Sequence, residues 1–285
     1  MLRNIFTSFL AAFASFGLAL ADDMRTGSFV VSEGYALPIT VHFVEPPEDA
    51  MADAPVVIVM HGVYRNADEY AANWVDLARE YGLRVYAPEF SAQDFPGADF
   101  YNLGGIGTDG PYAYQAIEPI FTAIAARGGN AEGYVLFGHS AGAQFVHRAL
   151  LFESLPRLTT AYAANAGWYT LPDDSVPWPY GLSGLAAGQG AIAHWISRPM
   201  VVLLGDQDTD PADPNLRHTP EADAQGPHRL ARGIYFAAEA QDRAQELDME
   251  TAWRVVHVPG VAHDNAGMAE AAAALISQSG EGARR

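Results

Sequence analysis

A chain of 285 residues with 49% hydrophobic side chains can bury one large core, and a length of this order suits a single α/β domain. Its 34 acidic against 16 basic side chains give a net charge of −18, which argues against nucleic acid as a partner. With no cysteine, disulfides, thiol chemistry and Cys-ligated metals are excluded, and stability has to come from the core.

The first 21 residues carry one charge, Arg3, then an apolar run over 5–20 that ends in Ala19-Leu20-Ala21 just before Asp22-Asp23. That is the pattern of a secretory signal peptide cleaved after Ala21. The alternative is an uncleaved anchor, but the run is short for a membrane span. The expectation is therefore export to the bacterial periplasm or medium, with no stable membrane association once the segment is removed. Residues 22–285 would then form one domain.

Two alternating segments, 27–31 and 37–44, flank Glu33-Gly34 and read as an antiparallel hairpin at the edge of a sheet. The acidic, Pro-containing stretch 45–55 is a surface loop. Short apolar runs follow at 56–60, 83–87, 134–137, 161–164 and 200–204, with 253–258 more mixed. Runs of this kind suit strands buried on both faces of a parallel sheet. Helical periodicity fills the gaps at 68–81, 114–126, 141–152, 225–247 and 265–278. The alternation predicts a mostly parallel, doubly wound α/β sheet with helices on both faces, on which ligands bind beyond the carboxyl ends of the strands. Two irregular insertions, 91–110 and the aromatic-rich 166–198, would lie on that same rim.

Gly138-His139-Ser140-Ala141-Gly142 follows one apolar strand and opens a helix. A serine on a sharp strand-to-helix turn needs small neighbours so that strand and helix can approach while its hydroxyl projects outward. The helix start also offers the N–H of Ala141 to a developing oxyanion. A hydroxyl is a weak nucleophile at neutral pH and needs a base, for which His263, in a loop between the last strand and the last helix, is the candidate. His257 lies within a strand pattern and reads as structural. The imidazole in turn needs a carboxylate, and Gly205-Asp206-Gln207-Asp208-Thr209-Asp210 supplies three at a strand's end. Asp208 is favoured, with Asp206 and Asp210 as turn formers and alternatives. His61-Gly62-Val63-Tyr64 follows the strand at 56–60, and the N–H of Val63 is the second candidate donor to an oxyanion, with His61 structural. Tyr64, His139, Trp168 and Trp178 are the expected substrate-pocket residues.

The order Ser, Asp, His along the chain, each after a strand, resembles that of the α/β-hydrolase superfamily. His61-Gly62, residues 138–142 and Gly260-Val261-Ala262-His263 look similar to bacterial exported esterases akin to polyhydroxyalkanoate depolymerases and feruloyl esterases. The resemblance implies a serine hydrolase that cleaves small or polymeric carboxylic esters through an acyl-enzyme and needs no cofactor. A peptidase with the same three residues, or an inactive binding protein on the same scaffold, are the alternatives. His218, His228, Asp213 and Glu221 lack the close spacing of a metal site, and no metal is expected. Gly104-Gly105-Ile106-Gly107 lacks a basic residue and reads as a loop rather than a phosphate cradle.

Overall fold

The computed structural model describes residues 24–129, 131–185 and 189–283. The signal-peptide reading of 1–21 lies outside the described residues.

Eight strands form one sheet: β1 (Arg25–Val31), β2 (Ile39–Glu45), β3 (Val56–Met60), β4 (Arg84–Glu89), β5 (Tyr134–His139), β6 (Leu158–Ala164), β7 (Met200–Gly205) and β8 (Trp253–Val258). Their order is β1-β2-β4-β3-β5-β6-β7-β8. β2 runs antiparallel to both of its neighbours, and every other pairing is parallel. The apolar runs are continuous because alternate side chains serve different faces. Val56, Ile58 and Met60 of β3 join one core with Phe145 and Phe236, while Val57 and Val59 join a second with Trp74 and Met268.

Helices α1 (Ala67–Ala72), α2 (Val75–Tyr81) and α9 (Asn265–Ala283) cover the second face. Helices α4 (Ile117–Ala126), α5 (Ala141–Phe152), α6 (Gln189–Ile196) and α8 (Arg229–Glu246) cover the first. The short α3 (Gly97–Phe100) and α7 (Pro220–Ala224) lie in connections. No helix of the described residues is long and apolar enough to cross a membrane.

Two expected helices are broken. The segment 68–81 divides at Asn73-Trp74, where the Trp74 N–H bonds back three residues to Ala71. This tightening sends the indole into the core, fully buried and edge-on to Phe137 at 5.3 Å. The segment 225–247 starts only at Arg229. Pro227 disfavours helical geometry at Gly226 before it, and the His228 ring caps the new start by accepting the Ala231 N–H. The insertion 166–198 also holds α6, whose Ile192, Trp195 and Ile196 are buried.

Candidate active site

Ser140 is the only residue between β5 and α5, with φ 58° and ψ −117°. A non-glycine residue in such a conformation costs about 1–3 kcal/mol and persists only where its surroundings fix it. Here the Ser140 N–H donates to the Ala164 carbonyl at 3.0 Å, and its own carbonyl accepts from the Gln144 N–H at 3.1 Å. The flanking glycines are required by space. A Cβ on Gly138 would lie 2.3 Å from the Gly142 carbonyl oxygen, and one on Gly142 would lie 2.1 Å from that of Met60.

The loop after β8 brings His263 to this turn, its Nε2 3.1 Å from Ser140 Oγ and its Nδ1 2.8 Å from Asp208 Oδ2. A carboxylate can only accept, so Nδ1 carries the proton and Nε2 is left to accept from the hydroxyl. Asp208 is 3% exposed, so its attraction for the imidazole is little screened by water. Asp206 accepts from the Gly260 N–H at 2.8 Å and fastens the turn before His263, while Asp210 accepts from the Ala212 N–H. Asn165 spans β7 and the His263 loop, accepting from the Gly205 N–H and donating to the Ala262 carbonyl. The arrangement can withdraw the Ser140 proton and hold the imidazolium that results.

The turn at 61–65 faces this row. His61 is buried, donates from Nδ1 to the Gly62 carbonyl and accepts the Phe90 N–H at Nε2. Burial pushes its imidazole down to about 3, so it stays neutral. Arg65 ties the turn to the carbonyls of Phe90, Phe95 and Gly97. Val63 lines the cleft, and Ala141 is the first residue of α5, whose opening N–H groups have no intrahelical acceptor.

The cleft measures about 500 Å³ and is lined by Val63, Tyr64, His139, Ser140 and His263 together with Asn66, Glu69, Tyr70, Asn73, Asn215 and Asn265. His139 packs on His263 with ring centroids 4.6 Å apart. Burial first, then the neighbouring His263 and Arg229, hold its imidazole well below the usual range. Burial likewise pushes the Tyr70 phenol up, so its hydroxyl stays protonated, and it shares a hydrogen bond with His139 Nδ1 at 3.1 Å. Tyr64 is exposed, and its hydroxyl accepts from Asn215 Nδ2 across the rim.

Trp168 and Trp178, expected at the pocket wall, do not line this cleft. They belong to a separate cluster with Leu103, Tyr180 and Ala222. Trp168 is drawn there by the buried Arg148, whose guanidinium sits 4.3 Å from the centre of the indole ring, and Trp178 packs edge-on to Phe152. His257 is exposed on the edge strand β8 rather than packed as a structural histidine. His228 caps α8 and His218 pairs with Asp223, and the described residues hold no cluster able to take a metal ion.

Sequence motifs gave no sign of Tyr70, Glu69 or the four cleft asparagines, which come from separate loops and helix ends. Nor did they mark Arg229, which is 1% exposed at the start of α8, with Nη1 3.5 Å from Asp208 Oδ1 and Nη2 3.1 Å from Asp213 Oδ1.

No protein-family model and no curated protein sequence matches this chain. Among solved structures, it is 39% identical to poly(aspartic acid) hydrolase-1 from Sphingomonas sp. KT-1, with a TM-score of 0.83 over 88% of this chain and 98% of that one. It is 34% identical to LpqC, a poly(3-hydroxybutyrate) depolymerase from Bordetella parapertussis, with a TM-score of 0.83 over 90% of this chain and 91% of that one. An S-formylglutathione hydrolase from Agrobacterium tumefaciens, 17% identical with a TM-score of 0.57 over 90% of this chain and 94% of that one, shares the fold. The strand order, the strained serine between β5 and α5 and these two likenesses agree: the chain belongs to the α/β-hydrolase superfamily of serine hydrolases and is related to the depolymerases.

Proposed function

We propose that this protein hydrolyses carboxylic esters, small or polymeric, by two-step acyl transfer at Ser140. The observation that carries the reading is the unbroken series Ser140 Oγ, His263 and Asp208 Oδ2 at 3.1 and 2.8 Å. Ser140 Oγ attacks the ester carbonyl as its proton passes to His263 Nε2, and the carbonyl oxygen becomes an oxyanion. The N–H groups of Val63 and Ala141 receive that charge, and a donor in this role is typically worth about 3–4 kcal/mol of barrier. The imidazolium then returns its proton to the departing alcohol, leaving Ser140 acylated. Water, deprotonated by the same imidazole, attacks the acyl-enzyme and releases the acid.

A second reading is amide hydrolysis, favoured by the likeness to an enzyme named for poly(aspartic acid), a polymer joined by amide bonds. Glu69 at the cleft, in a chain of net charge −18, opposes a polyanionic substrate and supports the neutral ester. The signal-peptide pattern supports an exported, membrane-free enzyme.

Wild type and Ser140→Ala are to be compared on nitrophenyl, feruloyl and short polyester substrates and on a peptide panel. Ester turnover that falls by several orders of magnitude in a folded Ser140→Ala protein is expected. Normal ester turnover by that variant, or wild-type activity on peptides alone, overturns the proposal.

A further inference from the structure

Asp208 faces two partners. Its Oδ2 accepts from His263, and its Oδ1 lies 3.5 Å from Arg229 Nη1, a separation at which charge matters more than hydrogen-bond geometry. Arg229 is itself almost fully buried and turns its other nitrogen to Asp213 at 3.1 Å. The Leu230 N–H in the first turn of α8 donates to the Asp208 carbonyl at 3.1 Å, so helix start and acid loop are fastened together.

We propose that Arg229 and Asp213 are positioning residues that set the strength of the base: Arg229 holds one oxygen of Asp208 so that the other meets His263, and Asp213 offsets the positive charge the clamp brings. The inference rests on the Ser140–His263–Asp208 reading above. A guanidinium beside the acid fixes its rotamer but repels the imidazolium that forms during attack. With Asp213 the three ionised groups sum to −1, which becomes zero when His263 takes the serine proton. Without Asp213 they sum to zero, and protonation of His263 leaves an uncompensated buried positive charge.

The groups around His263 support this assignment. Ser140 and His139 face it from the β5 turn, Asp208 and Asp213 from the loop after β7, Arg229 from α8 and Asp264 from its own loop. His139 is held neutral by burial and adds no charge. Asp213 is lowered from the ordinary carboxylate range chiefly by its bond to Arg229, opposed by burial, with smaller contributions from the Asn215 N–H and from the charges of Arg229 and His263. Asp213 thus interacts electrostatically with the imidazole as well as with the clamp.

The test is the pH dependence of inactivation by a fluorophosphonate in wild type, Asp213→Asn and Arg229→Met, with Ser140→Ala and His263→Ala as reference variants and thermal melts for folding. Removing Asp213 disfavours the imidazolium, so the acidic limb of the rate profile moves to lower pH. Removing Arg229 takes a positive charge from beside the imidazolium while the Leu230 N–H and the Gly205 carbonyl still hold the Asp208 backbone, so the limb moves to higher pH. Each shift is expected to be on the order of half a pH unit or more. A purely structural role lowers melting temperature and moves neither limb. Limbs that stay in place or move in the same direction overturn the proposal, and should Arg229→Met fail to fold, an unmoved Asp213→Asn limb does so alone. Labelling that survives in Ser140→Ala would instead indict the triad reading on which this one rests.

Discussion

Replacing Gly142 by alanine places a Cβ 2.1 Å from the Met60 carbonyl oxygen and 2.8 Å from that of His61. Ordinary contact between such atoms begins above 3 Å, so the end of β3 and the start of α5 have to separate by roughly 1 Å. Both groups are backbone, and no rotamer change relieves the clash. Overpacking of this kind costs about 1–3 kcal/mol, which for a chain of this size lowers the melting temperature by about 2–12 °C. The displacement falls between the turn that carries Val63 and the helix that carries Ala141. A misplacement of about 1 Å at a reacting site is worth about 100-fold in rate. The assay is thermal unfolding followed by circular dichroism, with kcat for nitrophenyl butyrate measured at a temperature where the variant is fully folded. Gly190→Ala is the control, because nothing lies within 4 Å of its added Cβ in helix α6. If Gly142→Ala melts with wild type and keeps kcat within threefold, the close approach of strand and helix does not govern the site.

Ser140→Gly should melt above Ser140→Ala by the equivalent of about 1 kcal/mol, because only glycine adopts φ 58°, ψ −117° without strain; equal melting temperatures contradict this. Asp208→Asn should keep its fold and lose about 10⁴ in kcat, since the imidazole loses the acceptor that selects its tautomer, and Asp206→Asn should keep most activity, as kinetics on both variants will show. Tyr70→Phe leaves His139 Nδ1 without its hydrogen-bond partner and should cost about 1–3 kcal/mol in denaturant unfolding. Glu45 is nearly fully buried; burial pushes its carboxyl up, but Arg127, Tyr86 and Arg25 together bring it below the ordinary range. Its contribution to stability is therefore present above the unfolded carboxylate pKa of about 4.3 and is lost as pH falls through the lower folded value. Glu45→Gln should be less stable than wild type at pH 7 by about 3 kcal/mol, and the gap should narrow towards pH 3; a gap independent of pH contradicts the assignment.

The sheet was legible because burial on two faces leaves a plain trace: β3 and β8 fall on the residues the apolar runs mark, β5, β6 and β7 extend theirs, and β2 and β4 start one or two residues later than expected. The turn at 138–142 was legible because strand, small residues, serine and helix follow one another in sequence, so local sterics and chemistry coincide. Residues brought together by tertiary contact alone were not. Trp74 breaks a helix that its periodicity favours because an indole has a better place against Phe137. Trp168 and Trp178 looked like pocket wall because aromatic insertions on a rim commonly are, yet a buried guanidinium, Arg148, gave Trp168 a different partner. Arg229 carries no motif, and its meaning lies in two aspartates 16 and 21 residues away.

The most direct measurement is to treat the protein with a fluorophosphonate and map the adduct by mass spectrometry while ester turnover is followed in parallel. One phosphonyl group on the Ser140 hydroxyl, with turnover lost in proportion to labelling and no labelling in His263→Ala on the same timescale, is the predicted result. Undiminished turnover in fully labelled protein, or turnover lost through an adduct on another residue, would contradict the account.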